Sequence, residues 1–337
     1  MARISRWKLA AAVVIGLGIA AAAYAGYWRY AAGHFDGSVA DWIAAREAEG
    51  YRVELAMAPV EGFPLWLSTT VSDPTIAAPS DAWSWRGPTF HLRSRPWSPF
   101  AFAFELPGAH HIEAEGRSFE LSTASATGRI AYALDGRLDD FALELRQASL
   151  TEIGEPPFAA ASLMLAARVP PPDHAGTAPV TLTFEAAVTD LALPDKPRPA
   201  LGPRIAVASV VGRLDGTLAI GPLPAVLAAW RDAGGAVELD RVQLTWGPLG
   251  LDGNATAALD EKLQPLVAAS CELQGIGPTF DALIDAGVID REHGPLGKQL
   301  LLGMAGADGK LKLPLTLQDG FLYVGPIKLL PVPPIDW

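Results

Sequence analysis

Apolar and polar residues alternate with a period of two along most of the chain after residue 51. The alternation is clearest between residues 249 and 259, where the odd positions hold leucine, glycine and alanine and the even positions are mostly polar. Residues 310–318 repeat the pattern, with leucine at every odd position from 311 to 317. A strand of this kind has one apolar and one polar face, so the pattern predicts a body built from β-strands.

An Asp-Gly pair at residues 319–320 separates two alternating runs near the end of the chain. This dipeptide between such runs is a strong signal for a β-hairpin with a two-residue turn. A turn at this place pairs Gln318 with Phe321 and sets Leu315 opposite Val324.

A second Asp-Gly pair, at residues 252–253, does not interrupt the alternation around it. Glycine inside a strand often marks a bulge or a place where another backbone comes close. We therefore predict one of these two features at Gly253.

Residues 222–234 and 277–306 carry apolar side chains at helical spacing and predict helices that pack against the sheet. Ahead of the strands, Ser38 followed by Asp41 resembles a capping box, and Gly50 supplies a stop signal. We interpret this segment as a stalk helix that continues from the N-terminal segment.

The run Leu9–Trp28 contains no charged residue and follows a short basic leader. At ~1.5 Å per residue it covers roughly 30 Å, the thickness of a bilayer core. The basic leader predicts a cytoplasmic N-terminus, and four aromatic residues at the far end predict an interfacial belt of Tyr24, Tyr27, Trp28 and Tyr30. The alternative is a cleaved signal peptide, because residues 23–25 fit the small-x-small pattern. Both interpretations export residues 31–337.

These patterns together predict a β-rich α+β fold: an N-terminal transmembrane helix followed by a long, twisted, mostly antiparallel sheet with a few packing helices. The predicted divisions are a cytoplasmic tip and anchor at 1–30, a stalk helix at 31–50, a first β-rich half at 51–190 and a second half with helices at 191–337. The predicted location is the inner membrane, with a single pass and the bulk of the chain in the periplasm.

Composition excludes several classes of function. The net charge of −11 and the pI near 5.0 argue against a nucleic-acid partner and against electrostatic docking on an anionic membrane. A single cysteine, Cys271, rules out an internal disulfide and a cysteine-based metal site. The sequence lacks the HExxH, GxSxG, P-loop and GxGxxG motifs, and the adjacent His110 and His111 are predicted to be solvated. No catalytic residue, metal ligand or cofactor is predicted, and an enzyme is not expected.

Aromatic residues are concentrated between residues 66 and 104. Three phenylalanines there share one strand face by their spacing, and four tryptophans lie close by in sequence. We interpret them as an aromatic core, with an apolar groove for acyl chains as the alternative. The set is Trp66, Trp83, Trp85, Trp97, Phe100, Phe102 and Phe104.

Several short motifs resemble one known family in their order along the chain. Residues 50–67, with Gly62-Phe63-Pro64, look like the opening of the domain of unknown function 2125 family of Gram-negative bacteria. Trp97-Ser98-Pro99, Trp246-Gly247-Pro248 and the ending DGFLYVGPIKLLPVPP are similar to its later landmarks. The resemblance covers almost the whole chain and implies an inner-membrane-anchored envelope protein of unknown activity, without catalytic residues to carry over. A looser likeness of architecture is to AsmA-like envelope proteins, which are associated with lipid handling.

Two classes of function follow from these expectations. The first is a non-enzymatic protein of lipid handling or envelope maintenance, whose apolar sheet face forms a groove. The second is a periplasmic scaffold or assembly protein that acts through contacts with another envelope protein. An apolar face that stays uncovered favours the first class. The candidate groove lining is Leu251, Ala255, Ala257, Leu313, Leu315 and Leu317.

Overall fold

A computed structural model describes residues 6–133, 137–170, 180–195, 198–216, 222–291, 294–306, 308–324, 327–335 and 337. Within these residues the protein is β-rich, with eighteen strands and four α-helices. The helices are α1 (Arg6–Ala48), α2 (Leu223–Asp232), α3 (Ile276–Asp285) and α4 (Gly294–Met304). Helices in the predicted regions 222–234 and 277–306 are thereby confirmed.

The chain divides into two compact units, residues 1–118 (unit 1) and 119–337 (unit 2). The sequence predicts a division after residue 190 instead. That position lies within a strand, Val180–Ala192, which is paired along most of its length with neighbours on both sides. The predicted division into two β-rich halves, 51–190 and 191–337, stays a prediction.

The N-terminal helix α1 is continuous over 43 residues and ends just before Gly50, which has a φ of +90°. The predicted capping box at residue 38 is wrong. The Ser38 hydroxyl donates a hydrogen bond of 2.8 Å to the carbonyl oxygen of His34, one turn back in the same helix. Ser38 therefore lies in the middle of α1, where its hydroxyl bonds the preceding turn instead of a free backbone N–H.

Among the residues that the structure describes, no helix is both long and apolar enough to cross a membrane. The side chains of residues 1–13 lie outside that description, and these include the first part of the predicted span Leu9–Trp28. The predicted transmembrane helix is thus not confirmed.

The strands of unit 1 pair in antiparallel fashion around β2. Its first half pairs with β4 and its last residues pair with β3, while β1 lies along the other side. Further pairs join β3 to β6 and β4 to β5. The bounds are β1 (Arg52–Met57), β2 (Leu67–Ala77), β3 (Trp83–Arg86), β4 (Phe90–Arg95), β5 (Ser98–Glu105) and β6 (Gly108–Ala114).

The core of unit 1 forms where α1 packs against this sheet. Phe35 and Leu67 are 1% and 0% exposed, and Ala31 is buried beside them. The ring of Phe35 lies 5.5 Å from that of Phe102, between centroids. Residues 31–48 are helical as predicted for a stalk, but Ala31 and Phe35 make this helix a core element of unit 1.

Unit 2 is an antiparallel meander in which each strand from β8 to β18 pairs with the next one. The long strand β9 also pairs with β7, which begins at the unit boundary. The bounds are β7 (Arg117–Thr123), β8 (Ser125–Tyr132), β9 (Leu138–Glu152), β10 (Phe158–Arg168), β11 (Val180–Ala192), β12 (Arg204–Asp215), β13 (Ala236–Trp246), β14 (Leu249–Leu259), β15 (Pro265–Gln274), β16 (Leu311–Gln318), β17 (Phe321–Val324) and β18 (Ile327–Pro331).

The predicted C-terminal hairpin is confirmed in its register. Gln318 pairs with Phe321 and Leu315 with Val324, across a turn made by residues 319 and 320. Both turn residues have positive φ, 51° and 70°, as a two-residue turn matching the twist of the strands requires.

Replacing Gly320 by valine is expected to destabilise this hairpin by about 1–3 kcal/mol, the cost of a left-handed backbone for a branched residue. A Cβ at this position meets only the carbonyl oxygen of Val332, at 3.6 Å, so the cost comes from the backbone and not from crowding. Hydrogen exchange of the backbone amides in β16 and β17 measures this destabilisation of the hairpin. Gly320→Asn is the matched control, because asparagine tolerates positive φ. Equal exchange in the two variants would contradict the turn.

Candidate functional site

One face of the unit 2 sheet is apolar across nine strands. Paired residues of neighbouring strands point to the same face, so the register identifies rows of side chains that cross the sheet. One row contains only aliphatic residues from β8 to β16. It consists of Ala126, Leu145, Leu163, Val188, Ala208, Leu244, Leu251, Leu273 and Leu311.

The opposite face of β12–β16 is mainly polar. The neighbouring row is formed by residues adjacent in sequence to those of the aliphatic row, and it consists of Ser209, Gln243, Asp252, Glu272 and Lys312. Ion pairs also lie on this face, such as Arg241 to Asp252 at 3.1 Å. Lys310 at the strand end pairs with Glu272 at 2.5 Å, and this hydrogen bond raises the pKa of Lys310. The charges mark the polar face as the side that water covers.

The register places all six candidate lining residues on the apolar face. Leu251 pairs with Leu273, and Leu273 pairs with Leu311, so these three residues share one face. Every second residue after Leu311 on β16 belongs to the same face, which adds Leu313, Leu315 and Leu317. Ala255 and Ala257 occupy the matching positions of β14. The six residues nevertheless differ in burial: Leu313 is buried and the other five are half-buried.

A cavity of about 530 Å³ lies where four neighbouring strands meet. It is lined by residues 238–240 of β13, 254–256 of β14, 268–270 of β15 and 314–316 of β16. Most of the lining, including Glu238, Asn254, Ser270 and Thr316, comes from the polar face, and the part from the apolar face is the cross-strand row Leu239, Ala255, Ala269 and Leu315. Its two central members are alanines, whose short side chains leave space between the leucines. The volume lies within the range of about 300–1,000 Å³ that is usual for ligand pockets.

Only two of the six candidates, Ala255 and Leu315, line this cavity. Sequence reasoning missed Leu239, because β13 carries a register shift between Leu239 and Val242 that breaks its alternation. The signal for finding it was the short alternating stretch Val237–Leu239 before the shift.

The predicted close approach at Gly253 is confirmed. A Cβ on this residue would lie 2.5 Å from the carbonyl oxygen of Ser270 and 3.1 Å from the sulfur of Cys271. Cys271 pairs with Gly253 on one side and Leu313 on the other, which places its thiol on the apolar face. Burial raises the pKa of this thiol.

Helices α3 and α4 cover one end of the apolar face. Ile276 of α3 packs with Leu311 and Leu313 in a buried cluster that Phe280 and Leu301 complete. Lys298 of α4 bonds Asp281 of α3 at 2.7 Å and joins the two helices. Leu313 therefore belongs to a dry core at this end, whereas the row through Ala255 and Leu315 stays half-exposed.

The aromatic cluster of unit 1 differs from the predicted aromatic core. Phe102 packs against the core, but Trp66, Trp83, Trp97 and Phe100 are exposed. Strand alternation alone does not reveal this, because these tryptophans lie at strand ends and loops rather than along one face.

His110 is buried, so the prediction of a solvated histidine is wrong for this residue. It accepts a hydrogen bond from the Trp85 indole at 3.3 Å and donates one to the Leu106 carbonyl oxygen, also at 3.3 Å. Burial lowers the pKa of His110, which favours the neutral ring that these two bonds require. In the part of the chain that the structure describes, no three metal-ligating side chains come together.

A family model described as "Uncharacterized protein conserved in bacteria (DUF2125)" matches residues 28–333. The chain belongs to the DUF2125 family. The resemblance drawn from the short motifs is thereby confirmed. No curated protein and no solved structure matches this DUF2125 member, and the likeness to AsmA-like proteins is not confirmed. The family description includes no activity, so membership assigns no function, and a function has to be inferred from the geometry of the apolar face.

Proposed function

We propose that this chain is a non-enzymatic, membrane-anchored envelope protein that binds lipid acyl chains on the apolar face of unit 2. The observation that carries the proposal is the aliphatic row from Ala126 to Leu311, most of which is half-exposed. Apolar surface that stays partly exposed across several neighbouring strands is costly in water, and in soluble proteins it marks a binding site.

The chemistry of the face favours a hydrocarbon ligand. Charged and polar side chains are collected on the opposite face, so the apolar side offers few groups that would orient a polar substrate. The short side chains of Ala255 and Ala269 leave a shallow depression in the apolar face between Leu239 and Leu315. A flexible acyl chain fits such a shallow, aliphatic surface better than a rigid polar molecule does.

The location is part of the same proposal. An uncharged run at Leu9–Trp28 behind a basic leader favours an inner-membrane anchor with a cytoplasmic N-terminus and a periplasmic body. Such a protein has its lipid ligands in the adjacent membrane. A cleaved leader remains the alternative, and a mature protein that begins at Gly26 would establish it.

A periplasmic scaffold is the second candidate. In this case the apolar face binds another envelope protein, and its occupant is a protein surface instead of a lipid. The two candidates differ in what co-purifies with the full chain.

The test is native mass spectrometry of the full chain extracted from membranes, combined with thiol modification of Cys271. We expect bound phospholipid in the mass spectrum. We also expect added phospholipid to slow modification of Cys271, because its thiol lies on the apolar face between Gly253 and Leu313. Alkaline conditions compensate for its raised pKa.

Modification of the unfolded chain is the control, because phospholipid has no apolar face to cover there. A native chain without lipid, whose Cys271 reacts at the same rate with and without phospholipid, would exclude the lipid proposal and favour the scaffold.

A further inference from the structure

Unit 1 exposes four large apolar side chains in two loops next to α1. These are Phe63, Leu65, Trp66 and Trp97, and they are 37–56% exposed. We call this set the aromatic patch. Isolated exposed apolar residues are normal on protein surfaces, but a group of this size in neighbouring loops indicates a binding surface.

Hydrogen bonds hold the patch against one turn of α1. The Tyr24 hydroxyl donates to the carbonyl oxygen of Pro64 at 2.6 Å, and the Trp28 indole donates to that of Trp66 at 2.9 Å. The ring of Phe63 lies 5.6 Å from that of Trp28, edge to face. The loop at 62–66 is thus fixed to residues 24–28 of the helix.

The second loop is fixed to the same turn. The Tyr27 hydroxyl donates to the carbonyl oxygen of Pro96 at 2.6 Å, directly before Trp97. The aromatic patch is therefore fixed at one position along the axis of α1, and it cannot move along the helix without losing these hydrogen bonds.

The segment of α1 that precedes this turn is strongly apolar and exposed. Val14, Ile15, Leu17 and Ile19 are each 63–67% exposed. Ile19 precedes Tyr24 by five residues, which is about 8 Å along a helix axis. The headgroup region on each side of a bilayer is only about 5–8 Å thick. If the run Leu9–Trp28 crosses the hydrocarbon, the aromatic patch, which is held at residues 24–28, lies at the outer end of the run beside the lipid headgroups.

The aromatic patch contains a cationic side chain, that of Arg95. The guanidinium carbon of Arg95 lies 4.0 Å from the ring centroid of Trp66 and 5.3 Å from that of Trp97. Among the described residues no carboxylate pairs with Arg95, whereas the neighbouring Arg93 is paired with Glu105. An unpaired arginine held between two tryptophans suits the lipid interface, where the rings contact acyl chains and the cation contacts phosphate.

We propose that the aromatic patch inserts into the phospholipid headgroup region and seats unit 1 directly on the membrane. The inference rests on the anchor in the proposed function, because the exposed segment at residues 14–19 must enter the same bilayer. It goes beyond that function by assigning a second membrane contact, made by loops of the folded body and not by the helix alone.

The test uses the full chain with Cys271→Ser and a new single cysteine at Leu65→Cys, labelled with an environment-sensitive fluorophore. The chain is reconstituted into vesicles of phosphatidylcholine and phosphatidylglycerol and separated by flotation. We expect the emission to shift to the blue, and headgroup-nitroxide lipids to quench it. The matched control is a label at Trp83→Cys. Trp83 is also exposed in unit 1 but lies beside Tyr51, beyond the far end of α1.

The outcomes separate the patch from the anchor. Flotation with quenching at residue 65 and none at residue 83 supports the proposal. Flotation without quenching at residue 65 overturns the patch while the anchor stands. Failure to float overturns both. Self-quenching of the label at 65 that grows with the protein-to-lipid ratio, without quenching by the lipids, assigns the patch to a second copy of the chain and also overturns the proposal.

A label at Trp97→Cys repeats the measurement on the second loop, so that a misfolded Leu65→Cys chain does not decide the result. Quenching at this position supports the proposal. A vesicle-bound chain without quenching at residue 97 contradicts it.

Discussion

Replacing Phe35 by alanine is expected to lower the free energy of unfolding of unit 1 by about 3–5 kcal/mol, the usual cost of removing a buried aromatic ring. Phe35 is 1% exposed and packs on Leu67 and Phe102, so its loss leaves a cavity between α1 and the sheet. Hydrogen exchange of β2 in the detergent-solubilised full chain, followed against denaturant, reports this loss in unit 1.

Tyr30→Ala is the matched control in the same helix. Tyr30 is exposed, and its ring contacts His34 of α1 itself. Its removal is expected to change the free energy of unfolding by no more than about 0.5 kcal/mol. Similar destabilisation by the two substitutions would show that α1 does not use its Phe35 side to pack on unit 1.

Introducing aspartate at Leu315 is expected to leave unit 2 folded and to remove its co-purified lipid. Leu315 is half-buried at the cavity, so the new carboxylate can remain hydrated in the empty protein. Covering it with an acyl chain would cost several kcal/mol, and each 1.4 kcal/mol is about a factor of ten in affinity. We therefore expect at least a roughly tenfold loss of bound lipid in native mass spectra. Ala255→Asp is expected to act in the same way.

Two controls place the same charge on the polar face. In Gln274→Asp of β15 and Gln318→Asp of β16 the side chain belongs to the opposite face by alternation, and neither residue lines the cavity. Both are expected to retain lipid. A folded Leu315→Asp chain with undiminished lipid would refute the acyl-chain site. An unfolded Leu315→Asp chain together with an unfolded Ala255→Asp chain would show that the face is a dry core.

Sequence patterns predicted those features of the fold that depend on residues close together in the chain. The turn at residues 319–320 determines which residues of β16 and β17 pair, because a two-residue turn leaves one register. Alternation assigned the six candidate residues to one face for a similar reason, since the side-chain period of a strand is two. The close approach at Gly253 was predictable because a glycine weakens the middle of a strand and is found there mainly where the backbone bulges or a neighbour comes close.

The remaining features depend on contacts between distant segments. The cavity needs β16 beside β15, although residues 275–310 and both helices α3 and α4 separate them in sequence. The burial of Leu313 depends on those helices, and its sequence neighbourhood does not distinguish it from Leu315. The burial of Phe35 depends on Leu67 and Phe102, which alternation places in strands without saying which helix covers them.

The continuity of α1 has a mechanical consequence for unit 1. The helix runs without a break from the exposed apolar residues 14–19 to Ala31 and Phe35 inside the core. No hinge therefore lies between the two, and a tilt or rotation of the first segment is transmitted directly to the folded body. The folded body of unit 1 therefore moves together with α1, and its orientation follows that of the N-terminal segment.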